Sequence, residues 1–461
     1  MIGTALCILA FLIVRSRATR SLGDGVVALL AIGYAYGLIR AWVPDSGGHF
    51  VFDAALAGLF SVELVKPPGR PIRFQSLTAE NWLVVLLVWP IVCIAYSPLV
   101  ADSQPFIIQL VGVRDALLML PCILIGARFT AVDVAKIAKA LAILNVVALG
   151  FGAAEYVFGV DAVVPQNDVT ALVYLSNDVE TKAGVFLRIP STFLNAHSYG
   201  GTMVLTLPFV VSGLEAPATR ERILAWAGIA AAAMGVFLCG ARLPVTVLMV
   251  AGAAYLASIR LRSSTVAAVL LTAIALVLLV SADDRFQRFT TLGDTEMVRG
   301  RVSSSVNMSF FDVLSAYPLG AGFGRAYGTS IPYFLMDTPG LHEQLGMESE
   351  YGHLLVEQGI VGLLVWVAFI AYAAVRSLAM NTMTRPARAI LRVVVVMTWL
   401  SGLIGVGILQ AMPGAPLLLF GMGLILARPA PAAAPSLAAA RTSEEKPPLR
   451  RPRRAYSGGW L

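Results

Sequence analysis

Three ionisable residues, Glu348, Glu350 and His353, fall within six positions at the head of the apolar run "MESEYGHLLVEQGIVGLLVW". Carboxylates and imidazoles are the usual proton acceptors of catalysis. A charge at the edge of a bilayer marks a water-filled cavity or a substrate path. Glu350 and His353 stand three apart, and Glu357 four further on, so all three share a face if the run is helical. The bland alternative for Glu350 is a first-turn acid favoured by the helix dipole. Basic residues recur at the same side of the apolar runs. Arg188 and His197 lie in "RIPSTFLNAHSYGGTMVL", Arg242 opens the apolar part of "CGARLPVTVLMV", and Arg299 and Arg301 precede "PLGAGFG". Arginine's planar, permanently charged fork suits phosphate oxygens.

Those groups need elements to hold them, and the composition says which. The chain has 461 residues, 58% hydrophobic and 13% charged, with a mean hydropathy of +0.79. A soluble domain is about a quarter charged, so a large soluble protein is excluded. Runs near 20 apolar residues span a bilayer as helices. Thirteen such segments are read, at 2–14, 25–43, 48–65, 81–97, 105–127, 134–157, 196–214, 222–239, 241–258, 264–281, 352–375, 389–409 and 412–427. The expected fold is therefore all-α and polytopic, with 12–13 spans and a large loop between the tenth and the eleventh. The first run is followed by Arg15, Arg17 and Arg20, the reverse of a signal peptide's order, so it reads as a membrane helix.

The net charge of +7 does not point to nucleic acid, because the basic residues fall in every second loop. Arg15–Arg20, Lys66–Arg73, Arg128–Lys139, Arg220–Arg222, Arg260–Arg262 and Arg376–Arg392 keep one phase with the basic tail. The positive-inside rule puts these loops and the C-terminus in the cytoplasm. It places the long loops 159–195 and 281–350 outside it, within a membrane unit 1–428 followed by a disordered basic tail 429–461. Arg114 and Asp115 sit within the fifth run and either pair with each other or line a substrate path. His49 and His342 are given no role. Four cysteines have neither metal-like nor disulfide-like spacing, and there is no phosphate-loop or dinucleotide fingerprint. No metal and no cofactor is expected.

The four stretches named above, in their order, resemble the O-antigen ligase and O-antigen/exopolysaccharide polymerase superfamily over residues 105–410. "PLGAGFG" (318–324) and "EQGIVG" (357–362) are its most similar pieces. Where ligases of that superfamily carry a His-Asn-like pair, this chain has Glu348 and Ser349, which looks more like the polymerase branch. The resemblance implies a metal-independent glycosyltransferase of the bacterial inner membrane, working on the periplasmic side. Its partners would be a polyprenyl-diphosphate-linked glycan donor, a glycan acceptor, membrane lipid and other polysaccharide assembly proteins. It implies Glu348, Glu350 or His353 as base, with Glu348 preferred. Arg242, Arg299, Arg301, Arg188 and His197 would bind the diphosphate or the glycan. A ligase adding the glycan to a lipid-A core is the alternative. A flippase is the reading from another class, but no internal repeat supports it.

Overall fold

The computed structural model describes residues 1–65, 77–100, 103–174, 178–181, 184–259, 296, 299–300, 310–326, 331–347, 349–377, 383–405 and 407–427. Among them, regular structure is helical apart from one short hairpin. In chain order the helices are α1 (Ile2–Arg20), α2 (Leu22–Trp42), α3 (Ser46–Glu63), α4 (Leu77–Tyr96), α5 (Phe106–Leu118), α6 (Pro121–Gly126), α7 (Ala131–Phe158) and α8 (Asp168–Tyr174). The hairpin β1 (Asp178–Thr181) and β2 (Gly184–Leu187) pairs antiparallel, with Asp178 opposite Leu187. Then come α9 (Ala196–Ser212), α10 (Thr219–Leu238), α11 (Arg242–Ser258), α12 (Phe310–Ala316), α13 (Glu350–Arg376), α14 (Arg385–Ser401) and α15 (Gly414–Leu426).

Seven segments among the described residues are long and apolar enough to cross a membrane: 2–20, 22–42, 81–99, 106–126, 131–158, 219–238 and 350–376. Helices 242–258 and 414–426 are apolar but shorter. The protein is thus a polytopic membrane protein by the length and composition of its helices. The expected tenth span, 264–281, the arginine-bearing loop 66–73 and the tail 429–461 lie outside the described residues.

Polar residues set the helix ends. Ser21, Asp45, Asn195 and Ser349 each accept the amide of the third residue onward, at the starts of α2, α3, α9 and α13. Thr130 and Asp133 form a reciprocal capping box at α7, which satisfies two donors that a helix start leaves orphaned. Two expectations need correction. Arg15, Arg17 and Arg20 are not in a loop: α1 runs through Arg20, and Ser21 alone separates it from α2. Arginine is a good helix former, and cations are favoured at the C-terminal end of the dipole. The fifth run is not one helix but two, broken before Pro121, which has no amide to continue the ladder.

The turns pack into two ends. At one, Lys136 Nζ meets Asp24 Oδ1 (2.9 Å) and Ser21 Oγ (3.0 Å), Lys139 faces Glu221 (3.7 Å) and Arg128 faces Glu63 (3.9 Å). At the other, Asn167 donates to Ala41 O (2.8 Å), Tyr333 OH donates to Pro44 O, and Gln104 Nε2 donates to His342 O (2.8 Å). The described parts of loops 159–195 and 281–350 therefore meet the same α2–α3 turn. Between the ends, Asn145 joins four helices: it accepts from Tyr34 OH (2.5 Å) and donates to Thr206 Oγ1 (2.9 Å) and Gly228 O (3.3 Å). Such polar side chains tie helices where lipid gives no hydrophobic drive.

Candidate functional site

The "PLGAGFG" and "EQGIVG" stretches are built against each other. Helix α13 breaks at Gly359, whose φ of 69° and ψ of −174° lie outside any helical region. A break frees backbone groups, and inside a membrane these must be met by protein. The glycine loop meets them. Ala321 N donates to Val356 O (2.6 Å), and Ile360 N donates to Pro318 O (3.0 Å). Trp89 Nε1 of α4 caps Gln358 O (3.0 Å), and Tyr96 OH holds Leu319 O. Gly320, Gly322 and Gly324 all have φ between 81° and 91°, the region that favours glycine. The loop thus turns back on itself and brings Gly324 N to Glu357 Oε1 (2.9 Å).

Glu357 is the centre of the resulting polar group. Its other oxygen lies 3.3 Å from His353 Nε2, one helical turn earlier, and both side chains are buried. Glu350 and Asp115 are within electrostatic reach of His353, and Glu357 and His353 of Asp115. Asp115 is hydrogen-bonded by its neighbour Arg114, which also pairs with Asp53 of α3 at 3.1 Å. So Arg114 and Asp115 do pair, and a third residue, Asp53, shares the arginine.

Glu350 has a different surrounding. Its carboxylate accepts Gly407 N (2.7 Å) and Ile408 N (3.1 Å), while its own amide donates to Gly402 O and Gly405 O. The side chain fastens the segment after α14 to the head of α13. It shares a helix with His353 and Glu357 but is turned to another neighbour. Glu348, the preferred base, lies outside the described residues, as does Arg301; Arg299 is exposed.

The other two stretches also meet. Arg188 Nη1 lies 2.5 Å from His197 Nε2, on the first turn of α9. Burial, and secondarily the charge of Arg242, hold the Arg188 pKa below its ordinary value. Arg188 Nε has no hydrogen-bond partner among the described residues. Two guanidinium groups and an imidazole therefore gather at the starts of α9 and α11. There, orphan backbone amides add positive potential. The turn at 239–241 holds them together, and burial raises the Cys239 thiol to about 11, so it is an uncharged packing group. Leu243, beside Arg242, lies 3.5 Å from the position of a Cβ built on Gly405, in the segment that Glu350 fastens. The arginine pair and the head of α13 thus share one intermediary.

Chemically, the arginine pair can neutralise an anion, and the His353–Glu357 pair can accept and hold a proton. The structure brings together Arg188, His197 and Arg242, and separately Glu350 with the 402–408 segment. Sequence reasoning left out Glu357 as a site residue, although its spacing of four from His353 was a usable signal. It also left out Asp53 and His49, for which no local motif gave a signal. No group of three or more His, Cys, Asp or Glu arranged to hold a metal occurs among the described residues. Neither a protein-family model nor a curated protein matches this chain.

Proposed function

We propose that the protein is a membrane glycosyltransferase that lengthens a glycan carried on polyprenyl diphosphate, on the periplasmic face of a bacterial inner membrane. A hydroxyl of the acceptor sugar attacks the anomeric carbon of the donor. The new C–O bond forms as the bond from the anomeric carbon to the diphosphate oxygen breaks, and the diphosphate leaves with the electron pair. The hydroxyl proton passes to a base near the head of α13. We assign that role to His353 with Glu357, which lie 3.3 Å apart, and keep Glu348 as the candidate by sequence position.

The observation that carries this reading is the meeting of Arg188 and Arg242 at two helix starts. Two planar, permanently charged forks on one side of the site match the oxygens of a diphosphate. The diphosphate's negative charge grows as the bond breaks, which is where preorganised donors act most strongly. The resemblance of the glycine-rich and "EQG" stretches adds the substrate class, and their mutual packing gives both a common structural role.

The test is reconstitution of the purified protein with a polyprenyl-diphosphate-linked repeat unit, reading product length on a gel. Wild type should give a ladder. Arg242→Lys keeps the charge but loses the fork and should lose most of it. A full ladder from Arg242→Ala would remove that residue from the site. Glycan appearing only on added lipid-A core would make the protein a ligase. Movement of intact donor across the bilayer with no new glycosidic bond would make it a flippase.

A further inference from the structure

We infer that the polar group between α2, α3 and α5 is a saccharide-binding site, built for an uncharged sugar unit of the acceptor glycan. This assignment rests on the transferase reading only for the word acceptor.

His49 is 3% exposed, yet neither of its ring nitrogens has a hydrogen-bond partner among the described residues. The same is true of Asp115 Oδ2. Arg40 is 8% exposed, and among the described residues no hydrogen bond or ion pair joins it to a carboxylate; it lies over the Tyr36 ring instead. A group that served only to lock helices together would satisfy its own atoms, because buried polar groups left unpaired are rare in native proteins. This one is half locked, through Arg114 between Asp53 and Asp115, and half open.

Charge decides the ligand class. Arg40 and Arg114 are opposed by Asp53 and Asp115, all mutually within electrostatic reach of His49 or Asp53, so the formal charges cancel. Such a site gives an anion no net attraction, unlike the Arg188–Arg242 pair. It offers instead both donors and acceptors beside aromatic rings, which is what hydroxyl groups and sugar faces need. The rings are Phe50, 5.0 Å from the His49 ring and beneath Arg114 at 5.3 Å, and Phe334, 5.9 Å from His49. Aromatic faces stack on the C–H faces of sugars. Phe334 belongs to the loop that carries the 333–335 turn, held over the α2–α3 turn by the Tyr333 hydroxyl on Pro44 O. Asp45 at the rim is occupied by the Gly3 and Gly48 amides. On the inner side Asp115 continues toward His353 and Glu357. A sugar seated under Phe334 therefore lies beside the residues assigned to proton transfer.

The experiment is saturation-transfer NMR on the full chain in detergent, with the methyl glycosides of glucose, galactose, rhamnose and N-acetylglucosamine as probes. Wild type should transfer saturation to ring protons of at least one probe. His49→Leu and Phe334→Ala should each weaken its apparent affinity by about tenfold, the loss of one hydrogen bond or ring contact. His49→Gln, which keeps a donor and an acceptor, should restore most of it, and Gly150→Ala, at an exposed position of α7, should leave it unchanged. If His49→Leu does not fold, Phe334→Ala decides. Absence of transfer to all four probes, meaning that the groups hold water only, overturns the inference. So does binding that both folded variants leave intact. Saccharide binding without any glycosyl transfer by wild type would sink the transferase reading and leave this site standing. A polymer ladder with no saccharide binding would do the reverse.

Discussion

Replacing Gly359 by alanine tests the packing on which the candidate site depends. The residue's φ of 69° with ψ near 180° falls where essentially only glycine is comfortable, and holding another residue there costs about 1–3 kcal/mol. Space makes it worse. A Cβ built on Gly359 comes within 2.6 Å of Leu319 O, and the carbonyl carbon is closer still. Both are backbone atoms of the "PLGAGFG" loop, so no rotamer change relieves the clash. Overpacking of this kind costs about 1–3 kcal/mol more. The sum, about 2–6 kcal/mol, is a large part of the 5–15 kcal/mol that usually separates folded from unfolded protein. Gly320→Ala should act on the same seam, since its Cβ would lie 2.8 Å from Gly359 N. Because both open one interface, the double variant should lose less than the sum of the two. Gly150→Ala is the control: it sits in α7 at an exposed position with no atom within 4 Å of a built Cβ. There alanine should be neutral or stabilise by about 0.5–1 kcal/mol. The assay is the thermal midpoint of the detergent-purified variants, with protein level in membranes as a second readout. A Gly359→Ala protein as stable as wild type would refute the docking of the two motifs.

Glu350→Gln keeps an oxygen for the Gly407 and Ile408 amides and should retain both protein and polymer. Glu350→Ala orphans the two amides at about 1–3 kcal/mol each and should lower the thermal midpoint sharply. Equal stability of the two variants would show that the carboxylate does not fasten that segment. Asp45 caps α3, and its hydrogen bonds from Gly48 N and then Gly3 N hold its carboxyl below the usual range. Its contribution is therefore present above the unfolded-state value near 3.9 and is lost as pH falls through the lower folded value. Asp45→Ala should cost about 0.5–2 kcal/mol at neutral pH, as removal of a cap does, and progressively less as pH falls below the unfolded-state value; a pH-independent difference in midpoint would contradict the cap. In a chain stripped of Cys7, Cys93, Cys122 and Cys239, Asp168→Cys and Asp337→Cys should react with an impermeant thiol reagent from one side of the membrane. Arg220→Cys should react from the other. Labelling of 168 and 337 from opposite sides would break the shared contact with the α2–α3 turn.

The apolar runs by themselves specified most of the helices, because a backbone in lipid must satisfy its own hydrogen bonds and helices do so locally. Helix ends are set by equally local chemistry, though the sequence reading did not name the caps: Asn195, Ser349 and the Thr130–Asp133 pair cap within three residues of themselves. The membrane class, the start of α9 at Ala196 and the placement of Arg242 at the head of α11 follow from the sequence. The hairpin at 178–187 was not legible, since four-residue strands inside a long polar loop carry no periodicity. Partnerships between distant residues were decided by tertiary structure alone. Nothing near Arg188 indicates that Arg242 will oppose it, and nothing near Asp53 indicates that it will share Arg114 with Asp115. Glu350 and Glu357 look alike in the sequence, one turn to either side of His353. Their roles diverge because Gly359 breaks the helix against the 318–324 loop, delivering the Gly324 amide to Glu357, while the segment after α14 delivers two amides to Glu350. Charges in a membrane protein are costly until something neutralises them, and which group does so depends on chain segments brought together from far apart.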